Sequence, residues 1–264
     1  MTEVVASFSG GKDSTAMVLR MIEKGDRLDE VIFCDTGMEF PAMYAHIDKI
    51  KEHVEASGVK FTELRSERTF RELFIEKPIE SSKYGHSYRG YGWPGMYIRW
   101  CTKHLKTEII GRHLKGRDVV QCVGLAADES RRIAKPSNQK DRHPLADWGW
   151  TEEMCLGYCY GRGFDWYDPS VGKGLYELFD RTSCWICPFG KVDYYRNLRR
   201  YYPGLWAEIG RMESELETRR REDGMDLPVT WRYTPRRSWA EMEARFESED
   251  EFESAQILID RWGP

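Results

Sequence analysis

No stretch of about eighteen apolar residues occurs anywhere in the 264-residue chain, so no membrane-spanning helix is expected. The opening Met1-Thr2-Glu3-Val4-Val5 lacks a basic stretch followed by an apolar segment, so no secretory signal is read there and a cytoplasmic location is expected. Internal repeats and low-complexity linkers are also lacking, and 10 Trp, 14 Tyr and 11 Phe are not the composition of a disordered chain. An even cysteine count is missing too. Seven cysteines in a chain read as cytoplasmic argue against a disulfide framework and for metal, redox or buried thiols. His86, His104, His113 and His143 have no mutual metal-ligand spacing, which leaves them without a catalytic assignment. Charge of one sign does not dominate: 40 Lys and Arg stand against 44 Asp and Glu, a net charge of −4.

What is present in the first half is alternation. Val4–Phe8, Val31–Cys34 and Val119–Gly124 read as short apolar strands, and Val59–Leu64 alternates like another strand. Helical patterns lie between them: Ser14–Lys24 has apolar positions at Ala16, Met17, Leu19, Met21 and Ile22 and is closed by Gly25. Tyr44–Ala56 and Thr107–Leu114 follow the same period. Strands separated by helices imply an α/β, Rossmann-like parallel sheet with helices on both faces. From Pro136 to Gly190, Gly, Pro, Trp and Tyr crowd a stretch of expected loops and short helices over the sheet's carboxyl edge. Asp193–Arg221 reads as helix interrupted near Pro203-Gly204. The last 24 residues, with eight acidic and two basic side chains, read as a solvated helix. The expected division is a nucleotide-binding core over residues 1–135 and a mainly helical, cysteine-bearing region over residues 136–264.

Ser9-Gly10-Gly11-Lys12-Asp13-Ser14 follows a strand and opens a helix. Its glycines permit a tight turn and close approach of a ligand. Unpaired N–H groups at the helix start, with Lys12 and the hydroxyls of Ser9 and Ser14, form an anion cradle. The spacing is not that of a Walker A loop. This hexapeptide resembles the PP-loop of the ATP pyrophosphatase (adenine nucleotide α-hydrolase) superfamily. Asp35-Thr36-Gly37-Met38-Glu39-Phe40-Pro41 is similar to the Asp-Thr-Gly-x-x-x-Pro segment of its phosphoadenosine phosphosulfate reductase-like branch. Gly124-Leu125-Ala126-Ala127-Asp128-Glu129-Ser130-Arg131-Arg132 is similar to that branch's Gly-x-Arg-x-x-Glu-Ser-x-Arg loop, and Pro144-Leu145-Ala146-Asp147-Trp148 to its Pro-Leu-x-x-Trp turn.

The resemblance implies ATP bound with Mg²⁺ and attacked at its α-phosphorus, releasing pyrophosphate and leaving an adenylylated substrate. Lys12, Asp13 and Asp35 are the implied catalytic residues. Ser9, Gly10, Gly11, Ser14, Thr36, Gly37, Gly124, Glu129, Ser130 and Arg131 are implied to hold the nucleotide. Two departures separate the chain from the branch's sulfonucleotide reductases. Leu125-Ala126 stands near the place of an arginine, and no cysteine follows Cys187. Those reductases usually degrade the loop that is intact here, which favours nucleotide cleavage.

The cysteines divide by context. Cys34 and Cys122 lie in apolar strands and read as core thiols. Cys184-Trp185-Ile186-Cys187 is a Cys-x-x-Cys spacing suited to one metal centre or to a redox pair. Cys101 opens a helix, and Cys155 and Cys159 share a helix face. The resemblance implies that Cys101, Cys184 and Cys187 hold a 4Fe-4S cluster, with Cys159 or, behind it, Cys155 as fourth ligand. Three protein ligands with an open iron, or a structural Zn²⁺ in place of the cluster, are the alternatives.

From Ser81 to Arg142 there are 13 basic and five acidic residues, interleaved with aromatics in Tyr88-Arg89-Gly90-Tyr91-Gly92-Trp93 and Tyr97-Ile98-Arg99-Trp100. That pattern suits either a nucleic-acid substrate or an active-site lid. Arg196, Arg199, Arg200 and Arg219–Arg221 either extend the patch or are solvated helix faces. The expected function is ATP-dependent adenylylation serving Fe–S-assisted sulfur transfer to a nucleotide or nucleic acid, with a sulfur-donor or electron-donor protein as partner. DNA phosphorothioation enzymes of the branch are the nearest analogy. A phosphoadenosine phosphosulfate reductase, or a non-catalytic Fe–S protein that binds nucleotide or nucleic acid, are the other readings.

Overall fold

The computed structural model describes every residue except 1, 82–84, 96–97, 135–140, 183, 226–237 and 263–264, and the side chains of 81, 86 and 253–262 also lie outside the description. In chain order the strands are β1 (Glu3–Phe8), β2 (Glu30–Asp35), β3 (Lys60–Arg65), β4 (Pro78–Ser81), β5 (His86–Arg89), β6 (Val119–Val123), β7 (Asp141–Arg142), β8 (Tyr167–Asp168) and β9 (Lys173–Gly174). The helices are α1 (Lys12–Lys24), α2 (Pro41–Ala56), α3 (Phe70–Ile75), α4 (Trp100–Thr102), α5 (Glu108–His113), α6 (Ser130–Ile133), α7 (Pro144–Asp147), α8 (Glu152–Tyr160), α9 (Leu175–Leu178), α10 (Val192–Tyr201), α11 (Pro203–Glu222) and α12 (Trp239–Trp262). Among the described residues no helix is long and apolar enough to cross a membrane.

Contacts divide the chain into two compact units. The first comprises Met1–Glu67 with Thr102–Trp185. It is built on a five-stranded sheet of order β3-β2-β1-β6-β7, every pair parallel. All six residues of β2 are buried, as expected for a central parallel strand covered on both faces. The α/β, Rossmann-like reading therefore holds. Strand order reverses beside β1: β2 and β3 lie on one side of it, β6 and β7 on the other. The carboxyl ends of β1 and β6 flank such a switch point, where open α/β sheets take their ligands.

Element ends follow local chemistry that hydrophobic periodicity does not report. α1 starts at Lys12, two residues before the first expected helical position, because its first residues are polar and leave no apolar signal. Its core face is Ala16, Met17, Leu19 and Met21, and Gly25 at φ 65° closes it, donating its N–H to the carbonyl of Ile22. α2 starts at Pro41, where a fixed φ and a missing N–H cost nothing. The expected helix over Thr107–Leu114 is α5, and a π-helical turn, Lys103–Thr107, leads into it. Such turns are rare and have no spacing signature.

The second unit comprises Arg68–Cys101 with Ile186–Pro264. Here the acidic terminus corrects the expectation of a solvated helix, because the first half of α12 is docked. Met242 and Phe246 are buried at 2% and 1% exposure, and Glu249 and Glu243 pair with Arg196 and Arg199 of α10. Glu213 of α11 is buried and accepts hydrogen bonds from Trp93 Nε1 and the backbone N–H of Trp239, each at 2.7 Å. One carboxylate thereby ties the Trp93 loop and the start of α12 to α11. Further along α12, Phe252 is 74% exposed.

Candidate functional site

The glycine-rich loop leaves β1 at its carboxyl end and turns into α1. Gly10 adopts φ 78°, and a Cβ there would lie 2.6 Å from Met43 Sδ and 3.2 Å from Ile47 Cγ1. Gly11 is the extended residue before α1 and has no side chain to cap it. Ser14 closes the turn from within: its Oγ accepts the Ser9 N–H at 3.2 Å, donates to the Gly11 carbonyl at 3.0 Å and lies 3.1 Å from Ser9 Oγ. The Lys12 N–H donates to Tyr176 Oη at 2.7 Å, and that phenol lies 2.8 Å from Thr182 Oγ1. Trp166 Nε1 donates to the Gly10 carbonyl at 2.8 Å. Trp166 stacks at 4.2 Å on His46, whose Nε2 is 2.9 Å from Thr15 Oγ1. Burial, aided by Lys49, pushes the His46 pKa down to about 3, so the ring is neutral at physiological pH.

Lys12 is buried, with its Nζ 3.3 Å from Asp13 Oδ2 and paired with Glu152. Burial alone would favour its neutral amine, but hydrogen bonding to Glu152 and attraction to Asp13 win and raise its pKa. Burial raises Asp13 to about 6, against the attraction of Lys12 and with the repulsion of Glu152. Asp13 Oδ1 is buried and accepts no hydrogen bond among the described residues. Glu152, Cys155 and Cys159 occupy one face of α8 at helical spacing, and α8 lies along α1. Cys159 Sγ sits 3.5 Å from the Lys12 carbonyl. Burial pushes the Cys155 thiol up to about 12 and raises that of Cys159 as well.

Gly124, expected to hold nucleotide, has a packing duty. A Cβ there would lie 2.9 Å from Ser14 N and Cα, so only glycine lets the end of β6 pass under the first turn of α1. Glu129 accepts the Ala126 N–H at 3.3 Å and pairs with Arg132, while Ser130 and Arg131 are exposed on α6. Asp128 accepts the Glu152 N–H at 3.2 and 3.3 Å and so anchors the start of α8.

β1 and β2 are level through the Phe8–Phe33 pairing, so Asp35 ends at the same sheet edge as the loop. Its carboxylate is 1% exposed and spent on the turn: Oδ1 accepts the Gly37 N–H at 2.7 Å and the Tyr44 hydroxyl at 2.8 Å, and Oδ2 pairs with Arg65. Gly37 meets this geometry at φ 74°. Thr36 Oγ1 donates to Glu39 Oε1 at 3.2 Å and is 3.4 Å from Cys184 Sγ, which donates to the same carboxylate at 3.4 Å. The Asp-Thr-Gly turn is thus the seat of Cys184.

None of the seven cysteines is disulfide-bonded, and exposure divides them. Cys34, Cys122, Cys155 and Cys159 are buried, whereas Cys101, Cys184 and Cys187 are partly exposed. Burial pushes Cys34 and Cys122 up to about 11, as expected of core thiols. Among the described residues no group of three or more His, Cys, Asp or Glu side chains is arranged to hold a metal ion. A thiol reagent must reach the sulfur, and only the partly exposed set is open to it. Cluster-free, reduced protein treated with dithionitrobenzoate should therefore show three fast thiols and four that react only on denaturation. Fast reaction of a fourth thiol would overturn this division.

The interleaved basic and aromatic residues of Tyr88–Trp100 that the structure describes are engaged inside the second unit. Arg89 forks onto Asp223 at 2.9–3.1 Å, Trp93 and Trp100 are buried, and Tyr91 stacks on Trp100 at 5.4 Å. Arg220 donates to the Gly90 carbonyl at 3.1 Å, and Arg99 lies 5.1 Å from the Phe189 ring. Tyr97 and residues 135–140 of the basic segment lie outside the described residues. Sequence reasoning missed Glu152, Tyr176, Trp166, Thr182 and His46. Their only signal was membership, His46 apart, of the aromatic-rich stretch expected over the sheet edge.

The family described as phosphoadenosine phosphosulfate reductase domain matches residues 3–163. Two uncharacterized proteins of Methanocaldococcus jannaschii are each 27% identical. One alignment of 216 residues covers 78% of this chain and 40% of that protein, and the other, of 217 residues, covers 77% and 46%. The chain thus spans less than half the length of either relative. Among solved structures, phosphoadenylyl-sulfate reductase from Candida auris in a phosphate complex aligns with a TM-score of 0.41 and 15% identity, over 62% of this chain and 74% of that one. The U34-tRNA thiolase NcsA from Methanococcus maripaludis, with its 4Fe-4S cluster, aligns with a TM-score of 0.41 and 16% identity, over 86% and 74%.

Proposed function

The chain belongs to the phosphoadenosine phosphosulfate reductase domain family, and from that premise we propose that it binds ATP in the Ser9–Ser14 loop and cleaves it to adenylylate a second substrate. The observation that carries this reading is an intact phosphate cradle at the sheet's switch point, with a buried lysine beside an uncapped helix start. An acceptor oxygen attacks the α-phosphorus, the bond from that phosphorus to the bridging oxygen breaks, and its electron pair leaves on pyrophosphate. Negative charge grows on the departing phosphates. The Lys12 ammonium and the N–H groups at the start of α1 are placed beside that charge to stabilise it.

Asp13 has the donor chemistry for a Mg²⁺ ion carried in with the triphosphate, since its buried Oδ1 has no hydrogen-bond partner among the described residues. Asp35 acts by holding the second strand's turn in shape, because both its oxygens are already bound. The family resemblance gives Cys101, Cys184 and Cys187 to a 4Fe-4S cluster, but among the described residues they are not gathered into a metal-holding group. Sulfide-level sulfur displacing AMP from the adenylate would form the new bond to sulfur, with AMP departing on the acceptor's former oxygen and no net oxidation. The acceptor class is a nucleotide or nucleic acid.

Anaerobically purified protein offered ATP with Mg²⁺, or phosphoadenosine phosphosulfate with a reducing thiol, separates the readings. Pyrophosphate from ATP in the presence of acceptor is the expected result. Sulfite from phosphoadenosine phosphosulfate without pyrophosphate would make it a sulfonucleotide reductase, and binding without turnover a nucleotide-binding protein.

A further inference from the structure

Both donors of Lys12 that face the cradle are occupied by the protein itself: the backbone N–H by the phenol of Tyr176 and the ammonium by the carboxylate of Glu152. Nothing in the loop motif calls for a carboxylate 140 residues away. Resting on the ATP reading, we infer that Glu152 is a removable counter-ion of the phosphate loop, which neutralises Lys12 when no nucleotide is bound and competes with phosphate for it.

Three features suit Glu152 to that part. Its side chain is 44% exposed while that of Lys12 is 8% exposed, so the carboxylate can return to water at small cost and the ammonium cannot. Its backbone is pinned: the N–H is held by Asp128, and the α8 start is capped by Thr151, whose Oγ1 accepts the Met154 N–H at 3.3 Å. A displaced carboxylate therefore stays tethered within reach. Finally, Asp13 already provides Lys12 with one acidic neighbour at 3.3 Å, so Glu152 is the second acidic neighbour of a single ammonium. An arriving polyphosphate brings more charge than the site can tolerate alongside both carboxylates, and the more exposed one yields. When pyrophosphate is the product, the same competition favours its release.

Such a counter-ion weakens every ligand that must take Lys12, and leaves untouched any that does not. Binding of ATP, pyrophosphate and adenosine to wild type and to Glu152→Gln, measured calorimetrically, tests this. The variant should bind ATP and pyrophosphate each about fivefold more tightly, the scale of a partly exposed ion pair, with adenosine unchanged. Slower pyrophosphate release in single turnover should accompany it. Unchanged or weaker ATP binding in the variant would overturn the counter-ion while the loop assignment stood. A lowered melting temperature with unaltered affinities would reduce the pair to a structural contact and overturn it equally. If neither protein binds ATP or pyrophosphate, the ATP reading and the counter-ion fall together.

Discussion

Lys12→Ala should lower the second-order rate constant for pyrophosphate release from ATP by about a hundredfold or more, the usual effect of removing one fixed donor from developing oxyanion charge. The side chain is buried and its ammonium is held on the cradle side by Asp13 and Glu152, so its position is set before any ligand arrives. Its loss leaves Glu152 able to return to water and Asp13, already raised to about 6, free to take up a proton. The variant should therefore stay folded, and a melting curve serves as the control. Lys12→Arg should not restore the rate, since a planar, delocalised fork that pairs bidentately with Asp13 or Glu152 does not reproduce the point charge of a compact ammonium. Activity within threefold of wild type in Lys12→Ala would remove the loop from the chemistry altogether.

Gly124→Ala should both destabilise the first unit and weaken nucleotide binding, although Gly124 need touch no nucleotide. The new methyl would stand 2.9 Å from Ser14 N and Cα and 3.1 Å from the Asp13 carbonyl carbon, all backbone atoms that no rotamer change can move. Overpacking of this kind costs about 1–3 kcal/mol. Strain relieved by shifting α1 moves Lys12 with it, so stability and affinity should fall together. Gly37→Ala is the comparison: it also changes a glycine of the expected site, at φ 74°, but with nothing within 4 Å of the new Cβ. It should cost about 1–2 kcal/mol, the left-handed penalty alone. Chemical denaturation of both variants beside nucleotide titration checks the pair. A Gly124→Ala protein as stable as wild type would mean that the helix start is not seated on β6 as described.

Much of the first unit was legible because its strands are buried runs and α1 has a clean helical stripe, signals that depend only on near neighbours in the chain. The loop was legible for the same reason: Ser9, Gly10, Gly11 and Ser14 make their turn among themselves, within six residues. The pairing of Cys155 and Cys159 on one helix face was local too, and both are buried on α8. Charge was legible only as a total. The basic middle and acidic end could be counted, but Arg89 is held by Asp223 and Arg196 by Glu249, partners 134 and 53 residues apart.

The sequence by itself determined the fold class, the glycine turn that opens α1 and the burial of Cys34 and Cys122, whereas the burial of Cys155 and Cys159 came from packing. Tertiary structure alone decided that Asp35 braces a turn, that Gly124 is a seat for α1, and that Lys12 is paired with Glu152. The physical reason is range. Periodicity and turn chemistry are set by residues a few positions apart, whereas a side chain's charge partner or clash is chosen by which distant segments the sheet edge brings together.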